Sequence, residues 1–131
     1  MLIRYKKVYK KIAMGLLSFM PNEKDLKKLQ KTMNDYVMDQ DRHLFLWKEE
    51  EGIIGLMGIL EDDNQVQLQH ISVNPSHRDQ GFGKRMVHAL IDLYPKTPII
   101  SHENTIAFIE KCNLKDSSEK ENENNNLLIL Y

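Results

Sequence analysis

The stretch Val66-Gln-Leu-Gln-His-Ile-Ser-Val73 is followed by Asn-Pro-Ser-His, then by Arg78-Asp-Gln-Gly81-Phe-Gly83, then by Lys-Arg-Met-Val-His-Ala-Leu-Ile. Alternation, turn residues and helical spacing, in that order, predict a strand, a short loop and an amphipathic helix. A loop of this kind turns a row of backbone N–H groups toward a phosphate at the helix N-terminus, where the helix dipole also favours negative charge. Gly81 and Gly83 carry no Cβ, so the chain there can take positive φ and approach a ligand closely. Arg78 and Lys84 bring positive charge to the same spot. The pattern Arg-x-x-Gly-x-Gly is complete, whereas two commoner phosphate motifs fit badly. A dinucleotide fingerprint needs a third glycine where Met86 stands, and a P-loop needs glycine at Arg78 and a hydroxyl at Arg85.

The rest of the chain supplies partners for that unit. Leu2 to Tyr5 reads as a short strand. Val8, Tyr9, Ile12, Ala13, Leu16 and Met20 recur at helical spacing up to Pro21. Asn22 is the expected cap of a second helix with Leu26, Leu29, Met33 and Tyr36 or Val37 as its apolar stripe. Leu44 to Lys48 and Ile53 to Leu60 form two strands around the acidic turn Glu49-Glu-Glu-Gly52, and Asp62 to Asn64 turns into the strand 65–73. The helix after Gly83 packs through Met86, Ala89, Leu90 and Leu93 and stops at Pro95. A strand at 97–102 and a helix from Thr105 to Cys112 follow, then a polar run (115–126) and a last strand at 127–131. Hairpins mixed with crossovers predict an α/β (α+β) fold, a mixed central sheet with helices on both faces.

At 131 residues, 41% hydrophobic and 28% charged, the chain suits one globular domain with its own core. No apolar stretch approaches the ~18 residues that cross a bilayer, and no leader-like segment opens the chain, which makes the cytoplasm the expected compartment. A net charge of −1 gives no general pull toward nucleic acid or membrane, although Arg4, Lys6, Lys7, Lys10 and Lys11 cluster without an acid. The lone Cys112 excludes an internal disulfide, and the five histidines show no zinc spacing, so no metal is expected.

Leu68-x-x-Ile71-x-Val73-x-Pro75-x-x-Arg78-x-x-Gly81-x-Gly83 and the helix after it resemble the acetyl-CoA-binding core of the GNAT family of N-acetyltransferases. The likeness is specific from about 66 to 114; residues 1–64, the expected acceptor side, agree in element order only. The whole chain is also similar to the small GNAT-like proteins of Bacillus-type riboflavin operons. The resemblance implies a GNAT fold in which strands 65–73 and 97–102 splay around coenzyme A, and two closing strands, of which the sequence offers one convincing candidate. It implies that a bulge frees backbone donors at Ile71, Ser72 and Val73 for the thioester and pantetheine, and that the loop Arg78, Asp79, Gln80, Gly81, Phe82, Gly83, Lys84 holds the pyrophosphate. It further implies that Asn104, with Ala107, contacts the cofactor, with a helix cap as the alternative role for Asn104, and that Phe108 opens an aromatic segment on the same helix.

Acetyl transfer to an amine needs oriented donors and a route for protons. Gln67 and Gln69 share one strand face at positions where the family often carries Glu or His, and as amides they orient but do not take a proton. His70 belongs on the opposite face with Leu68 unless a bulge turns it, and reads as structural. His102 and Glu103 end the second cleft strand and are the nearest titratable groups. Ile109 stands where the family's thiolate-protonating Tyr is usual, which leaves Tyr94 or Tyr131 as substitutes; the Asn104-x-x-Ala107 and Phe108–Leu114 matches differ by two residues in register. Cys112 reads as a small buried hydrophobe rather than an acyl acceptor. Tyr36 and the acidic turn 49–51 are weaker candidates for contact with the acceptor. The leading expectation is an acetyl-CoA-dependent N-acetyltransferase, monomer or homodimer, in which a primary amine of a small molecule or protein attacks directly. The alternative is a GNAT-fold acyl-CoA-binding partner protein with little catalysis.

Overall fold

The structure, a computed structural model, describes residues 1–112, 121–122 and 127–130. In chain order the elements are β1 (Leu2–Arg4), α1 (Lys10–Leu17), α2 (Leu26–Met38), β2 (Arg42–Glu49), β3 (Gly52–Glu61), β4 (Val66–Val73), α3 (Phe82–Leu93), β5 (Ile99–Ser101), α4 (Glu103–Lys111), β6 (Glu121–Asn122) and β7 (Leu127–Leu130). The sheet order is β1-β2-β3-β4-β5-β7-β6. Among the described strands only β4 and β5 run parallel, a pairing that needs the crossover α3 provides. The helices take both faces. Ala13, Leu16 and Leu17 of α1 and Met33 of α2 pack on Leu44, Leu46 and Leu56. Met86, Val87 and Leu90 of α3, with Ile109 of α4, pack on Phe45, Met57, Leu68 and Ile71 from the other side. Alternation along β2 sorts these partners, Leu44 and Leu46 to one face, Phe45 and Trp47 to the other.

Three expectations change. The first helical segment splits into a 3-10 turn at Lys7–Tyr9 and a two-turn α1, which buries Leu17 and leaves Val8 81% and Ile12 41% exposed. A tighter turn at its start rotates the stripe. Asn22 does not cap α2; Asp25 holds the N-cap position, while Asn22 sits in a 3-10 turn, Pro21–Glu23, and donates to Asn104 across 2.6 Å. The sheet closes with two strands, since β7 pairs antiparallel with β5 and the two-residue β6 pairs with β7. A strand that short has no periodicity to read. The remainder of the polar run and Tyr131 lie outside the described residues.

The feature that positions a site is the parting of β4 from β5. β3 pairs with β4 from Val66 to Val73, yet β5 follows β4 only at Val66, Gln67 and Leu68. His102 N–H to the Leu68 carbonyl, 3.1 Å, is the last backbone link before the strands diverge. Beyond it β4 has an unpaired edge in the middle of the sheet, the splay expected between 65–73 and 97–102.

Candidate active site

The edge bears a bulge. Gly58 pairs with His70 but Ile59 with Leu68, so Gln69 is one residue too many for the ladder. The hydrogen bonds show what this does to the backbone. Before the bulge, Val66 N–H bonds to Pro98 and the Leu68 carbonyl accepts from His102, so these residues face β5. After it, Asn74 N–H bonds to the Ile54 carbonyl of β3, 2.7 Å, and alternation turns Ser72 and His70 to β3 as well. Ile71 and Val73 therefore direct their N–H groups into the gap. The Val73 carbonyl is taken, 3.1 Å from Arg78 Nε, and the same guanidinium lies 5.5 Å over the Phe19 ring at the end of α1.

The loop that follows forms a cradle at the start of α3. The Asn74 side chain accepts from Ser76 N–H and starts a 3-10 turn. Asp79 (φ 62°) and Gly81 (φ 83°) then take left-handed conformations on either side of Gln80. Such reversals turn successive amides inward, and the Phe82, Gly83 and Lys84 amides open the helix without intrahelical partners. The two glycines serve different ends. Gly81 is needed for its φ, with open space around it, whereas a Cβ on Gly83 would stand 2.7 Å from two ring atoms of Phe108 and 3.1 Å from Cys112 Sγ. Gly83 is what lets α4 close on α3.

Splay and cradle share one cleft of about 600 Å³. It is lined by Ile71, Ser72 and Val73 of β4, by Arg78, Asp79, Gly81, Phe82, Gly83 and Lys84 of the loop and α3, and by Asn104, Ala107 and Phe108 of α4. Phe19, Met20 and Pro21 close it at the end of α1, and His77, Lys111 and Cys112 complete it. Of the residues assigned to the cofactor from sequence, only Gln80 is outside the lining. Ser72 Oγ is buried with no hydrogen-bond partner among the described residues.

The residues assigned to chemistry are elsewhere. Gln67 and Gln69, both half-buried, bond to each other at 2.6 Å on the α1/α2 side of β4. His102 is the N-cap of α4, with Asn104 N–H 3.4 Å from its Nδ1, and Glu103 is exposed in the first turn. Asn104 is thus bonded to the Pro21–Glu23 turn through Asn22 rather than being the cap itself. Ile109 is fully buried in the core, so it does not face the cleft; Asn104, Ala107, Phe108 and Lys111 do. Helical geometry decides the ambiguous register, because 104, 107, 108 and 111 share one face. Tyr94 is no substitute acid. Its hydroxyl donates to Glu61, 3.0 Å, and burial and that carboxylate push its pKa up to about 12. Burial also raises the Cys112 thiol, against a nucleophilic thiolate, with Lys111 and Lys84 pulling the other way.

Sequence reading missed the buried network behind the bulge. His70 lies not with Leu68 but on the α1/α2 face, because the extra residue turns it. Its Nδ1 meets the Tyr36 hydroxyl of α2, and its Nε2 lies 3.2 Å from Glu23 Oε1. Thr32 Oγ1 donates to the other Glu23 oxygen at 2.8 Å. Burial lowers the His70 pKa and keeps the ring neutral, although Glu23 opposes the shift. The single ring proton sits on Nε2, which donates to the Glu23 carboxylate, so Nδ1 accepts from Tyr36. Burial holds the Tyr36 phenol far above its usual pKa. The one sequence hint was Gly58 inside an apolar strand, since an isolated strand glycine marks a bulge or close approach; a Cβ there would overlap the Tyr36 hydroxyl.

Comparison with known proteins agrees with this geometry. The family model described as Acetyltransferase (GNAT) family matches residues 11–113. An uncharacterised N-acetyltransferase encoded in the lysA 3' region of Bacillus methanolicus is 66% identical over 120 residues, which span 91% of this chain and 100% of that protein. Among solved structures, an aminoglycoside 6'-N-acetyltransferase complexed with coenzyme A superposes with a TM-score of 0.66 at 15% identity, covering 99% of this chain and 93% of that one. The ribosomal-protein-S18-alanine N-acetyltransferase of Escherichia coli gives 0.67 at 12% identity, covering 99% and 92%. At such identities the structures speak for the fold alone, while the family match and the Bacillus relative reach further: this chain belongs to the GNAT family of acetyltransferases and is an acetyl-transferring enzyme.

Proposed function

We propose that the protein transfers the acetyl group of acetyl-CoA to a primary amine by direct attack, and that the cleft between β4, α3 and α4 is where it does so. The observation that carries this reading is the junction of the splay with the cradle: unpaired Ile71 and Val73 amides open onto the same cleft as the N-terminus of α3. Coenzyme A has a pyrophosphate at one end of a long pantetheine arm and an acyl thioester at the other, and the cleft offers amide donors for both. The left-handed pair Asp79 and Gly81 and the first amides of α3 suit the pyrophosphate. The β4 amides suit a thioester carbonyl, and donors aimed where negative charge develops lower the barrier to acyl transfer. Acetyl-CoA supplies the activated acyl group, and no metal enters the scheme.

Asp79 and His77 are the carboxylate and the imidazole in the lining, both out at the cradle, where the His77 ring packs on Phe82 at the start of α3, and no tyrosine lines the cleft among the described residues. Such a site takes the amine already deprotonated and lets the thiolate leave unassisted, which a thiol pKa near ~8.5 permits. The rate should then follow the pKa of the acceptor. Gln67 and Gln69, beside each other on the α1/α2 face, suit hydrogen bonds to that acceptor, a small molecule or a protein amine. Glu103 and His102 are the next titratable candidates if a base is required. The aminoglycoside and ribosomal-protein enzymes of the same fold act on amines of both kinds, and the likeness to riboflavin-operon proteins adds amines of that route to the acceptors worth trying. No described helix is long and apolar enough to cross a membrane; a cytoplasmic enzyme, monomeric or homodimeric, that needs neither membrane nor nucleic acid completes the proposal.

Coenzyme A should raise the melting temperature of the parent and lose that effect in Gly83→Val, which drives Phe108 off α3 and into the cleft. A variant that still folds and gains as much as the parent from coenzyme A would rule out this cleft.

A further inference from the structure

We propose that His70 is a positioning residue for acetyl transfer: clamped at both ring nitrogens by Tyr36 and Glu23, it holds the β4 bulge at the angle that aims the Ile71 and Val73 amides into the cleft. The inference rests on the reading of that cleft given above. Leu68 and Ile71 both pack on the α3/α4 face, so the apolar pattern alone confines the extra residue to 69 or 70. It does not fix how the intervening peptide is turned, and a bulge is by nature a ladder position with a bond missing. What is built around this one is extensive. His70 is directly opposite Gly58 in the register, and Gly58 lacks the Cβ that would block the Tyr36 ring. Tyr36 therefore crosses β3 from α2 to reach Nδ1, its ring edge-on to the imidazole with centroids 5.5 Å apart. From the other side Glu23 reaches Nε2, itself held by Thr32. Glu23 is 2% and His70 6% exposed, and every side-chain polar group of the chain Thr32–Glu23–His70–Tyr36 has a partner.

Two properties suit this chain to positioning rather than to proton transfer. None of its four residues lines the cleft. And Glu23 belongs to the Pro21–Glu23 turn, whose neighbours Met20 and Pro21 wall the cleft and whose Asn22 bonds to Asn104, so the clamp joins the acceptor-side loop to the strand that bears the amides. Misplacing reacting groups by about 1 Å can cost on the order of 100-fold in rate.

The test uses the full-length protein with Tyr36→Phe, His70→Leu and His70→Asn, whose amide oxygen can accept from Tyr36 as Nδ1 does. Two quantities are read: steady-state kinetics with acetyl-CoA, and hydrogen exchange of the His70 and Ser72 amides, both turned to β3. The expected result for Tyr36→Phe is a roughly ten- to hundredfold lower kcat with KM for acetyl-CoA and coenzyme A affinity within about twofold. Exchange at His70 and Ser72 should rise at least about tenfold while Val66 and Leu68 stay protected, and His70→Asn should recover more of both than His70→Leu. Unchanged exchange in Tyr36→Phe overturns the proposal, as does faster exchange with unchanged kcat. If the parent binds coenzyme A but acetylates nothing, the proposed reaction fails, and exchange alone then judges the clamp. Should His70→Leu not fold, Tyr36→Phe, which removes one oxygen, decides.

Discussion

Replacing Gly58 by alanine adds one methyl group to a strand, a change that normally favours β structure slightly. Here it should be among the costliest substitutions in the protein. The new Cβ would lie 2.8 Å from Tyr36 Cε1 and nearer still to Cζ and the hydroxyl oxygen. The ring cannot retreat cheaply, because Tyr36 is 6% exposed within the α1/α2 core. It must move by roughly 1 Å or more to regain van der Waals distance, which takes the hydroxyl from His70 and leaves two buried polar atoms without partners. An unsatisfied buried group costs about 1–3 kcal/mol and overpacking a similar amount, so two such groups and the overpacking together cost at least about 3 kcal/mol. For a chain of this length that is a fall in melting temperature of roughly 10–20 °C. The assay is thermal and urea unfolding of Gly58→Ala, alone and on Tyr36→Ala. Once the ring is gone the methyl group has room, and the second substitution should cost well under ~1 kcal/mol, a coupling energy at the upper end for residues in contact. A single variant within ~3 °C of the parent, or equal costs in both backgrounds, would refute the close passage of Tyr36 over Gly58.

Two further outcomes follow from buried groups. Because burial lowers the His70 pKa, the unfolded chain takes up a proton below about pH 6.5 that the folded chain refuses, so stability should fall as pH drops through that value, by at most about 1.4 kcal/mol per pH unit. Glu23, Arg42 and Lys28 bear on this group by charge and Tyr36 by its hydrogen bond; comparing pH-dependent urea midpoints of the parent and His70→Gln isolates it, and parallel curves would mean that His70 is not the source. Ile109→Tyr should destabilise by about 1–3 kcal/mol or more without raising turnover, because Ile109 is fully buried between α4 and the sheet. A stable variant with faster transfer would restore the register in which position 109 faces the thioester.

The parts of this site that were legible in the sequence are local. Arg78 to Gly83 encode their own turn, since left-handed backbone at Gly81 and a helix start at Phe82 leave marks on neighbouring residues. Alternation of Val66 with Leu68, and again of Ile71 with Val73, marked the strand, and the choice of partners left its ends within a residue or two. What remained hidden depends on residues far apart in the chain. Whether His70 points to one face or the other is decided by a pairing with Gly58, and its partners are 34 and 47 residues away. Glu23, in the polar run Asn22-Glu-Lys-Asp25, reads as solvent-exposed until α2 and β4 cover it. Register within α4 was ambiguous for a related reason: Ile109 and Phe108 are equally apolar, and only the contact of Phe108 with Gly83 shows which of them meets α3.

The central claim is that this cleft passes an acetyl group to an amine. The most direct measurement is coenzyme A thiol release from acetyl-CoA across a panel of small-molecule and peptide amines, with the N-acetyl product identified by mass and coenzyme A binding measured on the same samples. The account predicts thiol and N-acetyl product in equal amounts with at least one amine, at a rate that rises with pH toward the pKa of that amine. Coenzyme A binding without turnover over a wide panel would contradict it and leave an acyl-CoA-binding partner protein in its stead.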